Sequence, residues 1–334
     1  MQRYLIFVLK RLIQLLAVIV CGCSIAFLIA HLSPISPVDT ILARVTGKSN
    51  FDPNAIMELR RVLTELFGLD VPLHEQFFNF LMRLPFFDFG PSLMAFPTPA
   101  TSMVMLAMPW TVGLLTFAVV ITWFLGNLMG ALAAYFPNSV FLKTFGIAFI
   151  GVQPIPYYII AFLLVIVFGF LWPILPISGG FAMNVRVGFT WQFALSVAHH
   201  AILPATALVV AGIGGWFLAM RSLASNLVTE DYVVFAELAA VRRPIIIWHY
   251  IFRNALVPQL TALAMVLGSV FSGTVITEQV FSYPGLGSLM VSAVNGGDTG
   301  VVLAISCFSI MAVATAIFLV DILQPLLDPR VRAE

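Results

Sequence analysis

The chain has 334 residues, of which 61% are hydrophobic and 9% charged, and its mean hydropathy is +1.04. Soluble domains carry roughly 25% charged residues, so a water-soluble fold could not hide this much apolar surface, and an integral membrane protein is expected. A formal net charge of +1 without a basic block leaves no electrostatic footprint for nucleic acid.

The chain opens on Arg3, Lys10 and Arg11, followed by the charge-free run Leu12–Ala30. Crossing the hydrocarbon as a helix takes about twenty apolar residues, so this run is the first predicted span. It is too long for a signal-peptide core and no small-residue cleavage pattern follows, which predicts an uncleaved helix. Cys21 and Cys23 lie inside it, and Cys307 lies in a later apolar run. With no further ligands at metal spacing, they read as packing residues.

The segment His31–Met108 separates the first two spans. Thr46–Asn50 reads TGKSN, like the end of a phosphate loop, but Leu42 stands where the first glycine belongs and no strand precedes it. Pro53 opens and Gly68 closes a stretch with Leu59, Leu63, Leu66 and Phe67 at helical spacing, with Arg61 and Glu65 paired at i,i+4. A small external helical subdomain is the expectation.

Five further apolar runs read as spans: Trp110–Tyr135, Phe145–Leu171, Ala201–Met220, Leu256–Thr277 and Val301–Val320. Their interiors contain no Asp, Glu, Lys or Arg, and Glu278 and Asp321 are expected at span ends, solvated by headgroups. That pattern weighs against proton- or sodium-driven transport. In the third run Gln153, Pro154 and Pro156 interrupt an apolar helix. They suit a translocation path and equally suit a simple kink. His31, His199, His200 and His249 lie at span flanks without acidic neighbours and read as interfacial or capping groups, not as a metal site. Nothing resembles a nucleophile elbow, so no catalytic residues are expected.

Orientation follows the basic flanks. Arg3, Lys10, Arg11, Lys143, Arg221, Arg242, Arg243, Arg253, Arg330 and Arg332 fall on one side, while the short loops of the other side, Trp172–His200 and Glu278–Gly300, offer only Arg186. Both termini are therefore expected in the cytoplasm.

On that side lies EDYVVFAELAAVRRP, Glu230–Pro244. Thr229 is expected to cap a helix with Glu230 and Asp231 in its first turn, and Arg242 and Arg243 at its end match the opposite dipole sign. Tyr232, Phe235, Ala236 and Ala239 share one face; Val234, Leu238 and Val241 share another. Pro244 starts a second helix leading into the fifth span, with Trp248 and Tyr250 as interfacial anchors. A helix that is apolar on two faces outside the membrane needs cover, from its own bundle or from a partner's groove.

Several ordered stretches resemble the integral-membrane permeases of bacterial ATP-binding-cassette importers. They are most similar to the first permease subunit of the dipeptide/oligopeptide/nickel group. These are YLIFVLKRLIQLLAVIVCGCSIAFLIAHLSP, LRRVLTELFGLDVPLHEQFFNFLMRLPFFDFGPSL, ILPISGG, ILPATALVVAG, EDYVVFAELAA…FRNALVP and TEQVFSYPGLGSLMVSAV, and they cover nearly the whole chain. The resemblance implies an all-α integral membrane fold. It would have six transmembrane helices of the type I importer kind and an external helical subdomain between the first two. It divides the chain into residues 1–31, the external segment 32–108, a permease core 109–328 with a coupling loop at 222–254, and a tail at 329–334.

It also implies that Glu230, Asp231, Tyr232, Ala236, Glu237, Ala239, Ala240, Val241, Arg253 and Asn254 couple to an ATPase, with Pro258 closing the loop. The chain departs from the family at Leu238 and Ala239, usually a polar pair, and at Ala240, usually glycine. An alanine is well tolerated inside a helix, so docking is expected to survive. The implied partners are a homologous second permease, two cytoplasmic ATPase subunits that hold ATP and Mg2+, an external or lipid-anchored solute-binding protein, and membrane lipid. No cofactor is expected in this chain. Short peptides are the favoured substrate, with nickel or oligosaccharides as alternatives. A stand-alone channel or carrier, or a non-transporting scaffold, would be a different class.

Overall fold

The computed structural model describes residues 2–32, 38–39, 42, 53–66, 70–270 and 274–327. TGKSN, Phe67, Gly68, Arg330, Arg332 and the tail at 329–334 lie outside them. Helix α1 (Gln2–Leu32) is followed by the short α2 (Pro53–Leu66) and α3 (Leu73–Arg83), then by α4 (Ala100–Tyr135). Next come α5 (Val140–Val152), α6 (Tyr157–Val165, extended by a π-turn to Leu171), α7 (Trp191–Val228) and α8 (Asp231–Leu238). The chain continues through α9 (Arg253–Ser269), α10 (Val275–Val280), α11 (Leu286–Asn295) and α12 (Thr299–Leu327). Five helices are long and apolar enough to cross a membrane, and counting the bent pair α5–α6 as one crossing makes six. Pairing of extended chain among the described residues is limited to one bridge, Pro91 with Pro99.

The core is the pair α4–α7, which run parallel, with Thr122 beside Gly212 and Gly126 beside Trp216. A Cβ at Gly126 would lie 2.5 Å from Trp216 Cβ, and one at Gly130 would lie 2.9 Å from Met220 Cβ. Lipid offers helices no hydrophobic drive to associate, so close backbone approach at small residues spaced four apart supplies the packing. α1 runs antiparallel to α12: Gly22 faces Ile310, the Tyr4 hydroxyl donates to Ile322 O at 3.3 Å, and Arg11 pairs with Asp321 at 3.2 Å. The start of α12 packs on the start of α4 through Val301, Ala304, Ala100 and Val104. The beginning of α1 and the ends of α4, α7 and α12 therefore share one end of the bundle, and α8 lies there too.

Several expectations are corrected. The third run does break where the prolines interrupt it, but far more sharply than a simple kink: α5 and α6 meet at 104° around Gln153–Pro156, because Pro154 and Pro156 cannot donate to the preceding turn. The fifth stops at Ser269, short of Thr277. Arg61 pairs with Glu58 at 2.8 Å, not with Glu65. Asp321, at its expected span end, is also paired with Arg11 at 3.2 Å. His199 and His200 lie within α7, which starts at Trp191, and His200 Nδ1 is 2.8 Å from Ser196 O.

Glu278 departs furthest from its expected place. It is fully buried. Its carboxylate accepts from the Thr111 hydroxyl at 2.7 Å, Gly287 N at 2.7 Å and Ser288 N at 3.0 Å. Thr111 in turn accepts from Leu286 N at 2.7 Å. The free N–H groups of the first turn of α11 are thus all met by side chains from α4 and α10. A side chain at Gly285 would occupy the place of the carboxylate, which gives the PGLG stretch its physical reason. Burial pushes this carboxyl above the ordinary carboxylate range, against the pull of its three hydrogen bonds. Asp298 caps α12, accepting from Val301 N at 3.1 Å while also accepting from Ser92 Oγ at 2.5 Å and Met94 N at 3.0 Å.

Candidate functional site

α7 ends at Thr229, whose hydroxyl donates back to Asn226 O at 2.9 Å, so Thr229 closes α7 and does not cap α8. Glu230 turns the chain in extended conformation, and Asp231 in the first turn of α8 faces the positive end of the helix dipole. Val233 and Ala236, three residues apart, are buried against Ala131 of α4, Met220 of α7 and Ile251, Phe252 and Ala255 leading into α9. Phe235 and Leu238 stay 70% and 77% exposed. The sequence expectation grouped Ala236 with Phe235; the structure separates them, with Ala236 turned into the bundle.

The end of α8 explains Ala240. Its φ is +53°, a left-handed conformation, and it lies one residue past the cap Ala239, outside the helix. Val241 N donates to Ala236 O and Ala240 N to Glu237 O, each at 3.0 Å. These two bonds define a Schellman turn, whose left-handed position is normally glycine. The expectation that Ala240 is a harmless helical alanine is therefore corrected: the residue terminates the helix and bears backbone strain.

The remaining predicted coupling residues lie on α8 and at the start of α9. The Tyr135 hydroxyl donates to Glu237 Oε1 at 2.9 Å, joining α4 to α8. Asn254 Nδ2 donates to Tyr250 O at 2.6 Å and approaches the Tyr232 hydroxyl at 3.4 Å, while the Tyr232 and Tyr250 rings stack at 6.3 Å. Val241 packs on the buried cluster, and Arg253 is exposed at the start of α9. Pro244 begins one helical turn, Arg243–Ile245, which passes into a π-helical stretch, Ile246–Phe252. A cavity of about 800 Å³ lies behind α8, lined by Tyr135, Asn138, Glu237, Ala240 and Arg243 among others.

The predicted path residues sit elsewhere. Gln153, Pro154 and Pro156 are exposed at the α5–α6 break, with the Gln153 amide 3.6 Å from the Cβ position of Gly215. A separate cleft of about 300 Å³ opens between α4, α7 and α9, lined by Thr122, Gly212, Trp216, Ser269 and Thr274 among others; Gln153 is outside its lining. Counting only charges overlooked Asn127 and Gln259, both buried within the bundle. Asn127 Nδ2 donates to Trp123 O at 2.7 Å, and Trp123 Nε1 donates to Gln259 O at 3.1 Å, linking α4 to α9. Isolated amides in apolar runs were the available signal. Among the described residues, no group of three or more His, Cys, Asp or Glu could hold a metal ion.

Residues 126–333 match the family model described as "Binding-protein-dependent transport system inner membrane component". The chain is 26% identical to the oligopeptide transport system permease protein AppB of Bacillus subtilis over 328 residues, covering 97% of this chain and 98% of that protein. It is 28% identical to the dipeptide transport system permease protein DppB of the same organism over 336 residues, covering 99% and 98%. It is 32% identical to a Brucella abortus protein assigned as a peptide transport system permease, over 326 residues covering 97% and 98%.

Proposed function

The chain belongs to the family of binding-protein-dependent transport system inner membrane components, and from that premise we propose that it is the permease subunit of an importer for short peptides. Similarity to permeases named for oligopeptides and dipeptides favours peptides over nickel or oligosaccharides. ATP and Mg2+ belong to two partner ATPase subunits, a second permease completes the pathway, and an external binding protein delivers substrate. The end of the bundle bearing Lys10, Arg11, Arg242, Arg243 and Arg253 faces the cytoplasm of the inner membrane by its basic excess.

The observation that carries this reading is α8. One face is locked into the bundle by Val233 and Ala236, while Phe235 and Leu238 stand out of it at the basic end. Two large apolar side chains exposed to cytoplasm need a partner groove. A push on α8 then passes through one buried cluster to the ends of α4 and α7 and the beginning of α9 at once. The glycine seam makes α4 and α7 move as a unit, the rigid-body element that alternating access requires. For the path we favour the α4–α7–α9 cleft together with Gln153, because an exposed amide in hydrocarbon is costly and a wetted or protein-lined face is not.

The test replaces Phe235 and Leu238 together with Glu. Both are exposed, so insertion and thermal stability are expected to hold while co-purification of the ATPase subunits is lost. Retained ATPase binding would refute the docking surface. Peptide uptake by the purified chain alone, unchanged on ATP depletion, would instead support a stand-alone channel or carrier.

A further inference from the structure

We propose that α3 and the turn that follows it lie in the plane of the membrane, in the leaflet opposite α8, with Phe78, Met82 and Phe86 among the lipid chains. This rests on the reading of α1 and α12 as spans, not on the identity of the substrate.

The depth of the segment is fixed by what it touches. Phe80 stacks on Phe27 of α1 at 5.0 Å, and Phe77 lies 5.5 Å from the same ring. The apolar stretch of α1 runs to Leu32, five residues beyond Phe27. At 1.5 Å per residue, Phe27 lies about 7 Å short of that end. On α12 the contacts reach deeper. Phe80 and Leu84 share a buried cluster with Leu303 and Cys307. Phe87 stacks on Phe308 at 5.0 Å, and Phe89 lies 6.0 Å from it. Phe308 is nine residues past Thr299, where α12 begins, or about 13 Å along its axis. A segment standing above the membrane could not reach that level.

The outward face has the matching chemistry. Phe78, Met82 and Phe86 follow one another at steps of four, and are 58%, 71% and 81% exposed. Ile25, Leu28, Ile29 and Leu32 of α1, the helix that α3 packs on through Phe27, are exposed as well, as a lipid-facing span requires. The polar residues His74, Glu75, Asn79 and Arg83 are also exposed on this helix, and they complete the composition of an interfacial helix, which buries its apolar face roughly 5–10 Å into the headgroup and acyl boundary. The alternative occupant of the stripe, a docked binding protein, would leave three large apolar side chains bare whenever that protein departs.

The experiment places a nitroxide at Phe78→Cys, Met82→Cys, Phe86→Cys and, as control, Arg83→Cys, which is exposed and turned about 100° from Met82, each with Cys21→Ser. Cys23 and Cys307 are buried. The complete importer is reconstituted in phosphatidylethanolamine–phosphatidylglycerol vesicles, and collision with oxygen is compared with collision with a water-soluble nickel chelate. The logarithm of the oxygen-to-nickel ratio is expected to be positive at 78, 82 and 86 and negative at 83, with or without binding protein. Negative values at all three, or positive values only after binding protein is added, would overturn the proposal. The unmutated importer gives a second readout. A carbene generated on lipid chains is expected to label peptides spanning residues 77–89, and their absence from the labelled set would count equally against it.

Discussion

Where α11 and α12 begin, the N–H groups of Leu286, Gly287 and Ser288 each reach a side-chain acceptor, and Asp298 closes the first turn of α12 while holding Ser92 and Met94. At the opposite end α8 starts at Glu230 without a side-chain cap, exposes Phe235 and Leu238, and stops on an alanine in a glycine conformation. In both regions a helix begins directly after a tight turn. One is satisfied from within, by carboxylates that burial makes expensive unless every lone pair is used. The other leaves apolar surface and strain uncompensated. Internal satisfaction marks a part built to stay together, and local shortfall marks a part built to meet something else.

The contrast would break first at Glu278. Glu278→Leu leaves the N–H groups of Gly287 and Ser288 and the Thr111 hydroxyl without their acceptor. At about 1–3 kcal/mol for each of the three orphaned donors, a loss of roughly 3–9 kcal/mol is expected, read as a lower thermal midpoint in detergent. Glu278→Gln keeps one acceptor oxygen and should lose about half as much. Equal losses for the two variants would show that the site is held by packing and not by hydrogen bonds.

Asp298→Ala should cost less, about 1–3 kcal/mol. Ser92 Oγ also accepts from Met94 N at 3.1 Å and Ala95 N at 3.2 Å, so the turn keeps part of its support. In the same thermal assay Phe235→Glu with Leu238→Glu should move stability by no more than about 0.5 kcal/mol, while the proposed ATPase binding is expected to be lost. Those two results together would separate the end that holds the fold from the end that receives force.

How much of this was legible beforehand follows from what each feature depends on. The spans were readable because hydrocarbon imposes length and apolarity on the local sequence. The break at Gln153–Pro156 was visible as prolines, but its 104° angle depends on α5 and α6 both packing against α7. Glu278 was misplaced because its acceptors' partners lie up to 167 residues away at Thr111, and a one-dimensional reading sees only a carboxylate at the edge of an apolar run. The short helix α8 was located correctly as a helix. Which apolar residues it buries was not, since the chain itself covers Val233 and Ala236 by folding the π-helical stretch back over them. The depth of α3 was invisible for the same reason: its level is set by Phe27 and Phe308, far away in sequence.

Ala240 gives the most specific prediction. Its left-handed conformation costs about 1–2 kcal/mol that glycine would avoid. Ala240→Gly also loosens the unfolded chain, which offsets about 0.4–1 kcal/mol. The net gain should be roughly 0.5–1 kcal/mol, visible as slower amide exchange at Val241 and Ala240, whose N–H groups close the Schellman turn on Ala236 and Glu237. Ala240→Val, with a branched Cβ in the same conformation, should fray that turn and speed exchange at both. If instead Gly and Val leave exchange unchanged, the turn is not held in the left-handed region in solution. The end of α8 would then be a continued helix, with Leu238 and Val241 presented on one face to the ATPase and not divided by a turn.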